Sequence, residues 1–249
     1  MLTRFLLTAV VEERNQMRKT ILLALVVGLT LFAGTAAQAG PITIDSATVG
    51  GAPTGVFYDN LDWVDTVAGG QTSPLTGILV TLFPDAQAVT GSSSGVYAAP
   101  YIYNSNGALF GDSTVEGPDP TRYLTTGSTD AASGAMITIK FPVEQSYMGM
   151  LWGSVDTYNT LQFYLGGALQ TSFTGSDVTS SATGDQGKNG TFYVNFSGGP
   201  FDEVRLTSSQ KAFEFDNIAL QRVPDGGATL MLLGGALVGL GALRRKFRQ

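Results

Sequence analysis

Between residues 40 and 222 the chain never sustains an apolar period of 3.6 residues. Short runs alternate apolar and polar positions every two residues, and clusters of Gly, Ser, Thr, Asn and Asp separate them. That is the pattern of half-buried strands joined by turns. In GAMITIKF, Ile137, Ile139 and Phe141 share one face while Thr138 and Lys140 share the other. In FDEVRLTS, Val204 and Leu206 oppose Glu203, Arg205 and Thr207. GILVTLF at 77–83 is apolar on nearly both faces, as a central strand should be. Further strands are predicted at 42–49, 55–64, 96–103, 147–155, 160–165, 168–173, 190–196 and 212–221. Strands in this number and at this spacing predict an all-β fold, a two-sheet antiparallel β-sandwich of jelly-roll type. Gly111 to Gly134, with Pro118-Asp119-Pro120 inside it, and Thr174 to Gly190 read as long loops.

One strand breaks its own rhythm. In AFEFDNIALQR, Phe213 and Phe215 lie on one face, whereas Ile218 and Leu220 have the opposite parity. A bulge at Asp216-Asn217 would restore a single buried face; a strand buried on both sides would need none. Either way Asp216 lies among large apolar residues, and a buried carboxylate needs partners or a cation. The stretch resembles the last strand of lectin-like jelly-roll domains, in which an aspartate before an asparagine helps to hold a structural calcium. That resemblance implies Asp216 as a calcium ligand, with Asp59 and Asp62 of GVFYDNLDWV as weaker candidates to join it. Backbone carbonyls and water would complete the six to eight oxygens that calcium takes.

The two ends read as signals rather than fold. In MRKTILLALVVGLTLFAGTAAQA, residues 17–39, Arg18 and Lys19 precede an apolar run from Ile21 to Phe32, and Ala37-Gln38-Ala39 forms a small-x-small cleavage site. This is the form of a signal peptide cut by signal peptidase after passage into the secretion machinery. Glu12 and Glu13 do not suit a signal's positive region, so residues 1–16 read as an upstream mis-start with Met17 as the true start. At the other end Gly226 to Leu243 carries no charge. As a helix its 18 residues would span about 27 Å, close to the ~30 Å hydrocarbon core, so a transmembrane helix is predicted at 226–243. Arg244, Arg245, Lys246 and Arg248 follow, in a basic end at 244–249 that stays cytoplasmic and leaves the domain outside.

Val223-Pro224-Asp225-Gly226-Gly227 stands immediately before this span. Motif, short Gly-rich span and Arg-rich end, residues 223–249 together, resemble the PEP-CTERM class of sorting tails in its VPDSG-like variant, with Gly226 where that variant has serine. The resemblance implies processing by an exosortase, an integral-membrane cysteine protease, near the motif. It also implies an inner-membrane-anchored precursor that becomes a cell-surface or extracellular-matrix protein of a Gram-negative bacterium making extracellular polysaccharide. Pro224 cannot continue a helix, and the Gly pair keeps the motif open to a protease.

Charge and composition narrow what lies between. Residues 40–222 hold 17 acidic and 6 basic side chains, a formal charge of −11, because eight of the 14 basic residues sit in the end segments. Such a domain repels nucleic acid, whose binding needs Lys and Arg on phosphates, and attracts divalent cations. The chain has neither cysteine nor histidine. Disulfides, Ser-His-Asp and Cys-His catalysis and the usual zinc sites are therefore excluded.

The most distinctive stretch is LWGSVDTYNTLQFYLGG, residues 151–167. With the FEFDN strand it resembles a motif recurring in exosortase-dependent surface proteins of unassigned activity. Trp152, Asp156, Tyr158 and Asn159 are the residue types of a sugar-binding surface, rings for stacking and oxygens for hydroxyls. The same residues also suit a tight turn with Trp152 in the core. Three readings follow: a non-catalytic surface or matrix protein associated with polysaccharide, a calcium-stabilised carbohydrate-binding module, and a glycan-active enzyme. The last would use two carboxylates, Asp156 with Glu214, or Glu203 or Asp202. The first is the expectation, with no enzymatic activity.

Overall fold

In the computed structural model, residues 40–66, 69–127, 135–224, 233–237 and 240 are described. Thirteen strands run through them: β1 (Thr43–Thr48), β2 (Phe57–Asp59), β3 (Gly69–Thr72), β4 (Leu79–Leu82), β5 (Ala86–Thr90), β6 (Tyr101–Ile102), β7 (Gly117–Pro118), β8 (Arg122–Thr126), β9 (Met136–Gly153), β10 (Asn159–Leu165), β11 (Ala168–Thr174), β12 (Phe192–Ser208) and β13 (Phe213–Arg222). Eleven form one large antiparallel sheet, and β6 and β7 pair in a small second one.

Two very long strands shape the large sheet. The sequence pattern predicts separate strands either side of residue 142 and of residue 198; instead β9 and β12 run on for 18 and 17 residues. Each passes through a proline, Pro142 and Pro200, which cannot donate to a ladder. Between Ser197 and Glu203 the register of β12 on β9 shifts twice. Gly198 and Gly199 take φ of +105° and +89° there, a region that favours glycine. Before the bend in β9, Ile137, Ile139 and Phe141 face the core; after it Met148, Met150 and Trp152 do. The change of parity keeps one face apolar along the whole strand.

The first half of β9 and the second half of β12 form a layer ordered β3-β4-β9-β12-β10-β11. Their other halves form a layer ordered β1-β12-β9-β13-β8-β5, with β2 also alongside β13. One core cluster takes residues from both: Val80, Ile139, Phe163 and Val204 from the first, Met150, Trp152, Phe196 and Phe215 from the second. Phe163 packs edge-on against Phe201 at 4.9 Å between ring centres, and Trp152 stacks on Phe213 at 4.4 Å. A smaller cluster of Ile102, Phe110, Tyr147, Leu151, Tyr193 and Ala219 lies on the opposite face of the second layer.

Four strands fall where the alternation pattern gave none: β3, β5, β7 and β8. β7 and β8 lie within the predicted loop 111–134, and β5 pairs with β8 at the edge of the sheet. In β8 four successive residues, Tyr123 to Thr126, are buried, so there is no alternation to read. The other predicted loop, 174–190, holds two helical turns, Gly175–Val178 and Lys188–Gly190. Most of the predicted membrane helix 226–243 lies outside the described residues; 233–237 are helical. Among the described residues no helix is long and apolar enough to cross a membrane.

Candidate metal centre and adjoining pocket

The site is organised by β13. Phe213 and Phe215 enter the main core, so Glu214 and Asp216 leave the opposite face. Asp216 stands across from Leu151, itself part of the smaller cluster on that face. The register on β9 then slips between Asp216 and Ala219, and Asn217 takes φ of +55°. Ile218 and Leu220 thereby rejoin Phe213 and Phe215 in the core. The predicted bulge is present. Burial on both sides is present too, since every residue from 213 to 220 is buried.

What covers the outer face brings the chemistry. The excursion through β6, a helical turn at Ala108–Phe110 and β7 carries Asp112 and Asp119 onto Asp216. One carboxylate oxygen from each of the three lies within 4.8 Å of the others. Asp119 Oδ1 accepts from the Thr121 amide at 2.8 Å and from its hydroxyl at 2.5 Å. The other five carboxylate oxygens are buried and have no hydrogen bond of good geometry to any described residue. Burial pushes the Asp216 carboxyl well above its ordinary value, with Asp119 and Asp112 adding to the rise. Burial raises Asp119 as well, and lifts Asp112 to about 6 against a partial pull downwards from the Asn217 side chain. Asn217 is itself wholly buried, and its amide, close enough to Asp112 to act on it, closes no hydrogen bond of good geometry to any described residue.

Three carboxylates so placed have two ways to avoid mutual repulsion without solvent: take up protons, or share a cation. Oxygen-only donors of high negative charge suit a hard divalent ion, calcium in particular. The Asn217 side-chain oxygen is a further donor of the right kind.

Asp59 is committed elsewhere. Its Oδ1 accepts from the Leu61 amide and Trp63 Nε1, and its Oδ2 from the hydroxyls of Ser73 and Thr76, at 2.6–3.1 Å. These four donors occupy both carboxylate oxygens and tie Leu61, Trp63, Ser73 and Thr76 to Asp59. Asp62 accepts from the Arg122 amide and the Asn60 side chain, both at 2.8 Å. Its charge helps to raise Asp112, Asp119 and Asp216, so it stands beside the trio rather than in it.

Glu214 opens into a different space, a cleft of about 160 Å³ that Asp156, Tyr158, Ser154, Tyr97 and Lys211 also line. Glu214 Oε1 accepts from the Ala98 amide at 2.8 Å, and Oε2 from the Ser154 hydroxyl. Burial lifts Glu214 to about 7; those two donors hold the rise back and Asp156 adds to it. Burial also raises Asp156, against the neighbouring Tyr158 hydroxyl. Of the four residues expected to form a sugar-binding surface, the structure brings Asp156 and Tyr158 to this cleft. Trp152 is core, stacked on Phe213. Asn159 is buried, closing a turn onto the Asp156 carbonyl and accepting from the Ser208 hydroxyl at 2.9 Å. Glu203 pairs with Arg205 at 2.6 Å and Asp202 accepts from the Gly166 amide; neither lines the cleft.

Of the sorting motif, Val223 and Pro224 are described, and both are exposed just past β13. Asp225, Gly226, Gly227, the basic end at 244–249 and the Ala37 and Ala39 cleavage site lie outside the described residues. The VPDSG-CTERM motif model matches residues 222–247. The chain thus carries a PEP-CTERM-like sorting signal, of the kind exosortase-type machinery processes on exported, surface-directed proteins. No curated protein matches the chain.

Proposed function

We propose that the chain is an exported surface or matrix protein, non-catalytic and polysaccharide-associated, whose tail is removed by an exosortase after the N-terminal signal has been cut. Its ectodomain on this reading is a jelly-roll-like sandwich of lectin-like kind, stabilised by calcium. One observation carries it: the sorting-signal match begins at Arg222, the last residue of β13, so the domain ends where the signal starts. A protease acting at 223–227 would release a complete sheet. Mass spectrometry of the mature protein from its host tests this directly. An N-terminus at Gly40 and a C-terminus within the motif are expected; an untrimmed chain overturns it.

The calcium part rests on Asp112, Asp119 and Asp216, with Asn217 as an oxygen donor beside them. A cation would supply the countercharge that five undonated carboxylate oxygens lack. Residues of this chain would hold it between β13 and the 98–121 excursion, pinning that cover to the sheet.

A further inference from the structure

The cleft beside Glu214 is small and mainly polar, and its chemistry selects a ligand class. At about 160 Å³ it falls well below the ~300–1,000 Å³ of sites for drug-sized molecules. That volume is of the order of one saturated ring rather than a long polymer segment. We propose that this cleft binds a single neutral, hydroxyl-rich ring, the terminal sugar of a glycan, with Asp156 and Glu214 accepting its hydroxyls. The inference deepens the polysaccharide-associated reading above, and it stands whether or not the acidic trio holds a cation.

Four observations carry it. Each Glu214 carboxylate oxygen takes one protein donor and keeps acceptor capacity for another. The two donors come from fixed points, the Ala98 backbone and the Ser154 hydroxyl, so the carboxylate is oriented before any ligand arrives. Asp156 is held beside it by a bridge to Thr183. Gly184 lies against the Asp156 carboxylate: a Cβ there would come within 2.6 Å of Oδ2 and 2.8 Å of Oδ1. Glycine at that point, with φ of +72°, leaves the acceptor edge clear.

The rest of the wall fits the same ligand. Tyr158 is half-buried, with its hydroxyl beside Asp156 and donating to the Lys211 carbonyl at 2.8 Å, which fixes the ring at the rim. Such a ring offers a face to the C–H groups of a sugar. Lys211 is exposed at the same rim, with three donors for ring or glycosidic oxygens. Two carboxylates in a domain of formal charge −11 oppose an anionic ligand. The polar lining gives an apolar one little to gain.

The test uses the full chain in detergent micelles and saturation-transfer NMR with methyl glycosides of glucose, galactose, mannose and N-acetylglucosamine, with glucuronate as the anionic arm. Saturation of the ring protons of at least one neutral glycoside is expected, with glucuronate at least tenfold weaker. Asp156→Asn and Tyr158→Ala should each weaken binding at least tenfold at an unchanged melting temperature. Lys211→Ala, an exposed substitution, carries the same comparison should either fail to fold. No transfer from any neutral probe at millimolar concentration overturns the inference, as do variants that bind like the parent. Glucuronate binding as well as the neutral sugars overturns it too. Sugar release from a glycan, abolished by Glu214→Gln, would replace binding with catalysis. A chain that is trimmed and calcium-stabilised but binds no probe loses this inference alone.

Discussion

Glu214 and Asp216 leave the same face of β13 two residues apart, yet one lines an open cleft and the other is sealed from solvent. Glu214 is met by two hydrogen-bond donors, Asp216 by two more carboxylates. Two neighbouring acids on one strand therefore have opposite needs: one is ready for a polar ligand, the other lacks positive charge.

Asp216 sets the first prediction. A cation that binds only the folded state stabilises by about 2.7 kcal/mol at a hundred times its dissociation constant, a shift of several degrees in a domain of this size. Calcium should raise the melting temperature over chelator in the parent. Asp216→Asn should lose that response while melting no lower than the parent in chelator, because the cost of either charging or protonating a buried carboxyl there has gone. Differential scanning fluorimetry in both buffers checks it. Equal midpoints for the parent with and without calcium would exclude the cation.

The same acids give a pH dependence in the metal-free protein. Asp112 rises from an ordinary 3.8 to about 6 on folding, and Asp119 and Asp216 move in the same direction. Between those values the folded state binds more protons than the unfolded, so stability falls as pH rises. At Asp112 the loss begins near pH 3.8 and is complete above about pH 6. Urea midpoints in chelator should therefore decline across that window. Calcium should flatten or reverse the trend, because only deprotonated ligands hold it.

Much of the architecture is legible in the sequence, and what is not has a physical reason. The alternation in GAMITIKF and FDEVRLTS marks the core faces correctly, because each of those stretches has one wet side. It does not reveal that β9 and β12 continue through Pro142 and Pro200: a proline ends most strands, and only the doubled sheet lets both strands turn there. β8 is silent because Tyr123 to Thr126 are buried on both faces. Asp216 is conspicuous, an acid in an apolar strand with a parity break beside it. Its companions are not. Asp112 and Asp119 sit in a polar, Pro- and Gly-rich stretch where aspartate ordinarily serves a turn, and long-range folding alone brings them to β13. Asp59, the weaker candidate, has its four donors within 17 residues of it, and no sequence pattern marks them.

The bend in β12 yields a stability prediction. At Gly198 a Cβ would lie 2.3 Å from the Pro41 carbonyl oxygen, with φ of +105°. Gly166, in the β10–β11 turn, also has positive φ, but a Cβ there meets nothing within 4 Å. Alanine at Gly166 should cost roughly 1 kcal/mol, backbone strain alone. Alanine at Gly198 should cost more, at the upper end of ~1–3 kcal/mol for strain and with a clash added. Urea unfolding of the two variants compares them, and equal losses would show that the strand relaxes away from Pro41.

Trp152 separates the core from the ligand surface. Its ring stacks on Phe213 with an interplanar angle of 18°, and its Nε1–H is buried without a partner among the described residues. Alanine there removes the largest fully buried side chain and should cost about 3–5 kcal/mol. Phenylalanine keeps a ring against Phe213 and discards the undonated N–H, which offsets part of the lost contact, so its cost should stay well below that of alanine. Neither change touches Asp156 or Tyr158. Trp152→Phe should accordingly bind methyl glycosides as the parent does. A tenfold loss of binding in this variant at an intact melting temperature would place the indole in the recognition surface and overturn its assignment to the core.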